Sequence, residues 1–186
     1  MAGWSSVDLM ELTLFINLLV GHIFLSTGIS KCFHLIEFEE GISQFTPLRH
    51  PKFIWFISRV IVAMEISCGG LLICSFYYKT AAILLMVLLA VFSILILFHL
   101  SKKTNLTCHC GGVLGNEVIH IGIPIRNLLM MAGLLFAIGA PEIPFVLQFL
   151  SQAEYLKVWL LAELLVLCLL GTYYFRLKLN ALTESR

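Results

Sequence analysis

Residues 80–100 read TAAILLMVLLAVFSILILFHL, a run without one charged side chain. At about 1.5 Å of rise per residue, a helix of this length crosses a hydrocarbon core roughly 30 Å thick. Lipid offers no partner to backbone N–H and C=O groups, so the run is read as a transmembrane helix. Further runs of the same character lie to either side. The predicted spans are about 9–28, 53–77, 80–100, 123–140 and 155–175. The first has no basic stretch before it and no small-residue cleavage site after it, so it is read as a span and not a signal peptide.

The composition agrees with a membrane protein. Of 186 residues, 60% are hydrophobic and 12% charged, the net charge is +1 and the mean hydropathy is +0.97. Soluble domains are about 25% charged. A net charge this small gives no basic stripe for nucleic acid. A disordered chain and a disulfide scaffold are excluded too. The expected fold is an all-α membrane protein forming a single domain over 1–186, with five transmembrane helices, four of them a bundle core and the fifth peripheral.

The connections differ in kind. Tyr77-Tyr78-Lys79-Thr80 is too short for anything but a tight hairpin, which makes the second and third spans antiparallel neighbours. Between the first two spans, Leu35, Phe38, Ile42 and Phe45 recur at helical spacing among Glu37, Glu39, Glu40, Ser43 and Gln44. This predicts an amphipathic helix over about 33–46, at the membrane interface or covering the loop that emerges on the same face.

That loop, 101–122, carries Thr107-Cys108-His109-Cys110-Gly111-Gly112. Two cysteines one residue apart can bridge only if the chain turns tightly, and the glycines permit such a turn. A ring that small is strained and exchanges readily, and a protonated His109 would favour the reactive thiolate. Cys108, Cys110 and His109 are therefore the candidate catalytic residues of a thiol–disulfide exchange centre. Metal binding, with His109, His120 or His99 joining the thiols, and inert thiols are the alternatives. Cys32, Cys68, Cys74 and Cys168 are read as inert, the last three as small hydrophobes within spans.

Three landmarks carry a resemblance. Helix 1 ends in Gly28-Ile29-Ser30-Lys31, helix 2 contains Glu65-Ile66-Ser67-Cys68-Gly69-Gly70, and the Cys-x-Cys loop is followed by Arg126-Asn127 at the start of the next helix. Over roughly residues 20–140 the chain resembles the MauE/DoxX-like membrane proteins. Where that family reads Cys-Gly-Cys-Phe-Gly, this chain has Cys108-His109-Cys110-Gly111-Gly112. The resemblance implies a four-helix bundle with an extra helix and a role in forming or maturing disulfides of extracytoplasmic proteins. The implied partner is a thioredoxin-like or other extracytoplasmic thiol protein. The implied location is the bacterial cytoplasmic membrane, with the Cys loop outside.

Ionisable residues within spans are costly and usually face the bundle interior. Glu65 lies mid-span, Glu163 lies in the fifth span, and Asn17 and His22 lie in the first. Glu65 is expected to point inward, neutral or paired with His22, Arg59 or Arg126. A dithiol that oxidises partners must pass two electrons onward, and in a bilayer the small acceptor expected is a quinone. Glu65, Arg126 and His22 are the residues expected to serve it.

The charge pattern opposes this orientation. Lys31, Arg49, Lys52, Lys102, Lys103, Arg176, Lys178 and Arg186 fall on the Cys-loop face, against Lys79 and Lys157 on the other. The positive-inside rule would make that face cytoplasmic, where a standing disulfide is disfavoured. The other functions compatible with the sequence are a non-enzymatic assembly subunit and a Cys/His metal-handling protein.

Overall fold

The computed structural model describes residues 6–45, 50–101, 107–108, 117–118 and 121–140, together with 157, 159–161, 163–165 and 168. The described elements are α1 (Ser6–Phe33), α2 (Leu35–Phe45), α3 (Pro51–Ile73), α4 (Tyr78–Ser101), β1 (Thr107–Cys108), β2 (Glu117–Val118) and α5 (Gly122–Gly139). Among the described residues, α1, α3, α4 and α5 are long and apolar enough to cross a membrane. The fold is an all-α membrane bundle. α1 packs on α3 and α5, and α4 packs on the same two helices, which closes a four-helix ring. The described residues of 157–168 are helical. Most of the expected fifth span lies outside the described residues.

Packing sets the length and spacing of these helices. α1 runs past the expected end at 28 to Phe33, and only His34 separates it from α2. Hydrogen bonds from His34 N to Ser30 O and from Phe38 N to His34 O carry the backbone across that junction. α1 and α3 approach closely at glycines. A Cβ on Gly69 would stand 2.9 Å from Gly21 O and 3.0 Å from Leu25 N, and a Cβ on Gly28 would stand 3.2 Å from Glu65 Cβ. Small residues at such crossings let membrane helices gain dispersion contact that lipid would otherwise take. Thr13, Ser26 and Thr27 donate to carbonyls three or four residues back, so these hydroxyls are satisfied within α1.

α3 ends at Ile73, earlier than expected. Ser75 N donates to Leu72 O and Phe76 N to Leu71 O, the two bonds of a Schellman cap. Ser75 takes the left-handed position, φ 53°, where glycine is usual. The hairpin is therefore Cys74–Tyr77, and Cys74 is the C-cap of α3, not part of the span. α4 starts at Tyr78 and runs antiparallel to α3, as its short link requires.

The amphipathic stripe of α2 points elsewhere than expected. Phe38 and Ile42 are buried with Ile54 and Val62 of α3, and Leu35 packs against them, so this part of the stripe docks on the bundle and does not face the interface, while most of the Cys loop lies outside the described residues. The docking has a polar clasp. Arg59 donates to Glu39 Oε1 at 2.6 Å and lies over the Trp55 ring, 4.1 Å from its centroid. The one-residue junction at His34 places the apolar stripe beside α3, where Phe38 and Ile42 are buried.

Candidate functional site

Two of the sequence landmarks meet at one ion pair. Lys31, in the last turn of α1, places Nζ 2.5 Å from Oε1 of Glu65 in α3. Both are buried, at 4% and 3% exposure. Gly28 makes the contact possible, because with no Cβ it lets α1 come against Glu65 and Ile66 one turn before Lys31. The ammonium is flanked by two aromatic faces, Phe38 of α2 at 5.0 Å and Phe92 of α4 at 5.6 Å. Cation–π attraction strengthens as such a group is desolvated. The expected partners of Glu65 were His22, Arg59 and Arg126. Its partner is Lys31 instead, because close packing at Gly28 brings the end of α1 onto this level of α3.

The pair borders a cavity of about 40 Å³ between α1, α3, α4 and α5, which Thr27, Arg126 and Asn127 also line. The remaining wall is apolar, with Phe24, Leu89 and Phe92 among its residues. Asn127 Nδ2 donates to Ser93 Oγ at 3.1 Å, fixing the start of α5 to α4. The cavity uses the C-terminal part of α1, the C-terminal part of α4 and the first turns of α5. It therefore sits at the end of the bundle from which the Cys loop leaves and returns.

Of the expected catalytic residues, Cys108 lies in β1, where Thr107 pairs with Val118 and Cys108 with Glu117 in an antiparallel ladder. His109 and Cys110 lie outside the described residues. Glu65 and Arg126 both line the cavity. His22 does not join them. Its Nδ1 lies 2.7 Å from Leu18 O, and its Nε2 lies 3.0 Å from Glu163 Oε1. A carbonyl can only accept, so Nδ1 is the donor in the contact with Leu18 O. His22 and Glu163 thus tie the described part of the last segment to α1, away from the cavity.

Lys31 is the site residue that the sequence presented only as a landmark and a loop-face charge. A basic residue in the last turn of a span usually snorkels, and nothing local marks this one as buried. Cys68 is buried, whereas Cys32, Cys74 and Cys168 are exposed. Among the described residues no group of three or more His, Cys, Asp and Glu could hold a metal ion.

The close α1–α3 crossing, the buried acid within α3 and the Arg126-Asn127 start of α5 lie together in one stretch of sequence. Residues 9–140 match the family described as methylamine utilisation protein MauE. The chain belongs to the MauE family. No curated protein and no solved structure matches it. In this MauE-family protein the matched stretch contains all four described spanning helices, α2 and the Cys loop. The match is to MauE and does not extend to the DoxX-like part of the resemblance.

Proposed function

We propose that this multi-pass membrane protein exchanges thiols and disulfides through Cys108 and Cys110. The partner is an extracytoplasmic thiol protein of thioredoxin-like kind. The observation that carries the reading is the placement of Cys108. It stands in a short ladder opposite Glu117, in the loop that joins α4 to α5 at the end of the bundle holding the buried Lys31–Glu65 pair. A cysteine paired by its backbone at a membrane surface, with a second cysteine two residues on and two glycines after it, has the parts of an exchange centre.

The step balances without a further reactant. A thiolate of the pair attacks one sulfur of the partner's disulfide, the S–S bond breaks, and the partner's second sulfur leaves as a thiolate and takes a proton. The other cysteine of the pair, as its thiolate, then attacks the mixed disulfide. The products are a Cys108–Cys110 disulfide and a reduced partner. The reverse sequence oxidises the partner. An extracytoplasmic loop suits either direction, because oxidised thiols persist there. The burial of Lys31 weakens the opposing charge argument by one residue, since a paired intramembrane lysine is not a loop charge.

A quinone ring is larger than the enclosed part of this cavity, which also opens toward the bundle surface. The volume is about 40 Å³, against about 150 Å³ for an engineered cavity that takes a benzene ring.

The test is thiol trapping in cells with a membrane-impermeant reagent. Cys108 and Cys110 are expected to react from outside and to alternate between labelled and blocked states as partner is supplied. One single serine variant is expected to trap a mixed disulfide. Full function of the Cys108→Ser/Cys110→Ser double variant would remove this reading and favour an assembly subunit.

A further inference from the structure

Glu65 uses one carboxylate oxygen for Lys31. The other, Oε2, has no hydrogen-bond partner among the described residues, although the residue is 3% exposed. Leaving such an oxygen unsatisfied in a low-dielectric interior is costly, and more so for a charged group. Buried polar atoms of this kind are commonly satisfied by internal water. The oxygen belongs to a residue that lines the cavity, and the cavity's size and polar lining decide what can reach it. One water needs about 10–15 Å³ and two to four polar partners, so about 40 Å³ accommodates a few waters. The partners are present. Thr27 Oγ1 donates to Phe24 O and keeps its lone pairs free to accept. Asn127 commits Nδ2 to Ser93, which leaves its carbonyl oxygen as an acceptor. The charged groups facing the cavity are Lys31 from α1, Glu65 from α3 and Arg126 from α5, while α4 contributes only apolar side chains to its wall.

We infer that this cavity is a water-binding site. A small cluster donates to Glu65 Oε2, is held by Thr27 and Asn127, and exchanges with bulk water at the Cys-loop end of the bundle. The site completes the hydrogen bonds that the protein leaves unmade beside the Lys31–Glu65 pair. It also makes a carboxylate deep in the bundle reachable by solvent. The inference rests on the cavity and not on the thiol chemistry, so either can fail without the other.

The experiment is X-ray radiolytic labelling of the full chain in lipid nanodiscs, after brief mixing with H₂¹⁸O. Pulses split bound water into hydroxyl radicals, which oxidise the side chains beside it. Phe24 and Leu89 are buried and line the cavity, whereas Leu18 and Leu85 are fully buried elsewhere in the core. The expected result is ¹⁸O on Phe24 and Leu89, none on Leu18 and Leu85, and a severalfold loss of the Phe24 and Leu89 label in the Lys31→Met/Glu65→Leu variant. Thr27→Val, which removes one acceptor and keeps the fold, is expected to lower the same label. Unlabelled Phe24 and Leu89 would mean a dry cavity. Label carrying only ¹⁶O would mean a sealed one. Either result, or unchanged label in Thr27→Val, overturns the inference.

Discussion

The Lys31 ammonium lies 2.5 Å from the Glu65 carboxylate, 34 residues apart in sequence and both within the closed ring of helices. Each charge alone would be expensive in this place. Together, with Phe38 and Phe92 against the ammonium, they form the polar centre around which α1, α2, α3 and α4 meet.

Removing one partner should therefore hurt more than removing both. Lys31→Met leaves an uncompensated buried carboxylate and is expected to cost about 3–5 kcal/mol. Lys31→Met/Glu65→Leu removes the desolvation cost together with the pair and is expected to recover most of that loss. Reversible unfolding in mixed micelles measures both. A double variant as unstable as the single would show that the pair is not what Lys31 contributes.

Neighbouring glycines should separate cleanly. Gly69→Ala drives a Cβ to 2.9 Å from Gly21 O, a backbone atom that can move only if α1 does. An overpacking cost of about 1–3 kcal/mol follows. Gly70→Ala meets nothing within 4 Å and should gain up to about 1 kcal/mol of helix propensity. Thermal midpoints of the two variants, compared with wild type, should move in opposite directions.

The docking of α2 predicts a contrast between adjacent faces. Phe38, buried at 3%, should cost about 3–5 kcal/mol as Phe38→Ala. Ile36, exposed at 75%, should stay within about 0.5 kcal/mol as Ile36→Ala. Equal effects in unfolding titrations would return α2 to the interface.

For the thiol chemistry, His109→Ala should slow exchange with a model disulfide without abolishing it, because the imidazole only tunes the thiolate fraction. Cys68→Ser should leave exchange unchanged, since Cys68 is buried within the bundle. Stopped-flow exchange kinetics separate the two. Loss of exchange in Cys68→Ser with the fold intact would move the reactive centre into the membrane.

The sequence by itself determined the membrane class, the four described spans, the antiparallel α3–α4 hairpin and the helical character of 35–45, because each follows from local hydropathy, periodicity or link length. It also marked Glu65 as an acid that points into the bundle. Only the tertiary structure decided the partner of Glu65, the removal of His22 to Glu163 and the turning of the α2 stripe onto α3. Those outcomes depend on how far each helix rotates and how closely α1 and α3 approach. The approach is set where Gly21 meets Gly69 and Gly28 meets Glu65 and Ile66, contacts between residues far apart in sequence. A periodic apolar pattern says which face is buried but not which helix buries it. For that reason a terminal lysine that reads as a snorkelling charge became the buried counter-ion of the bundle.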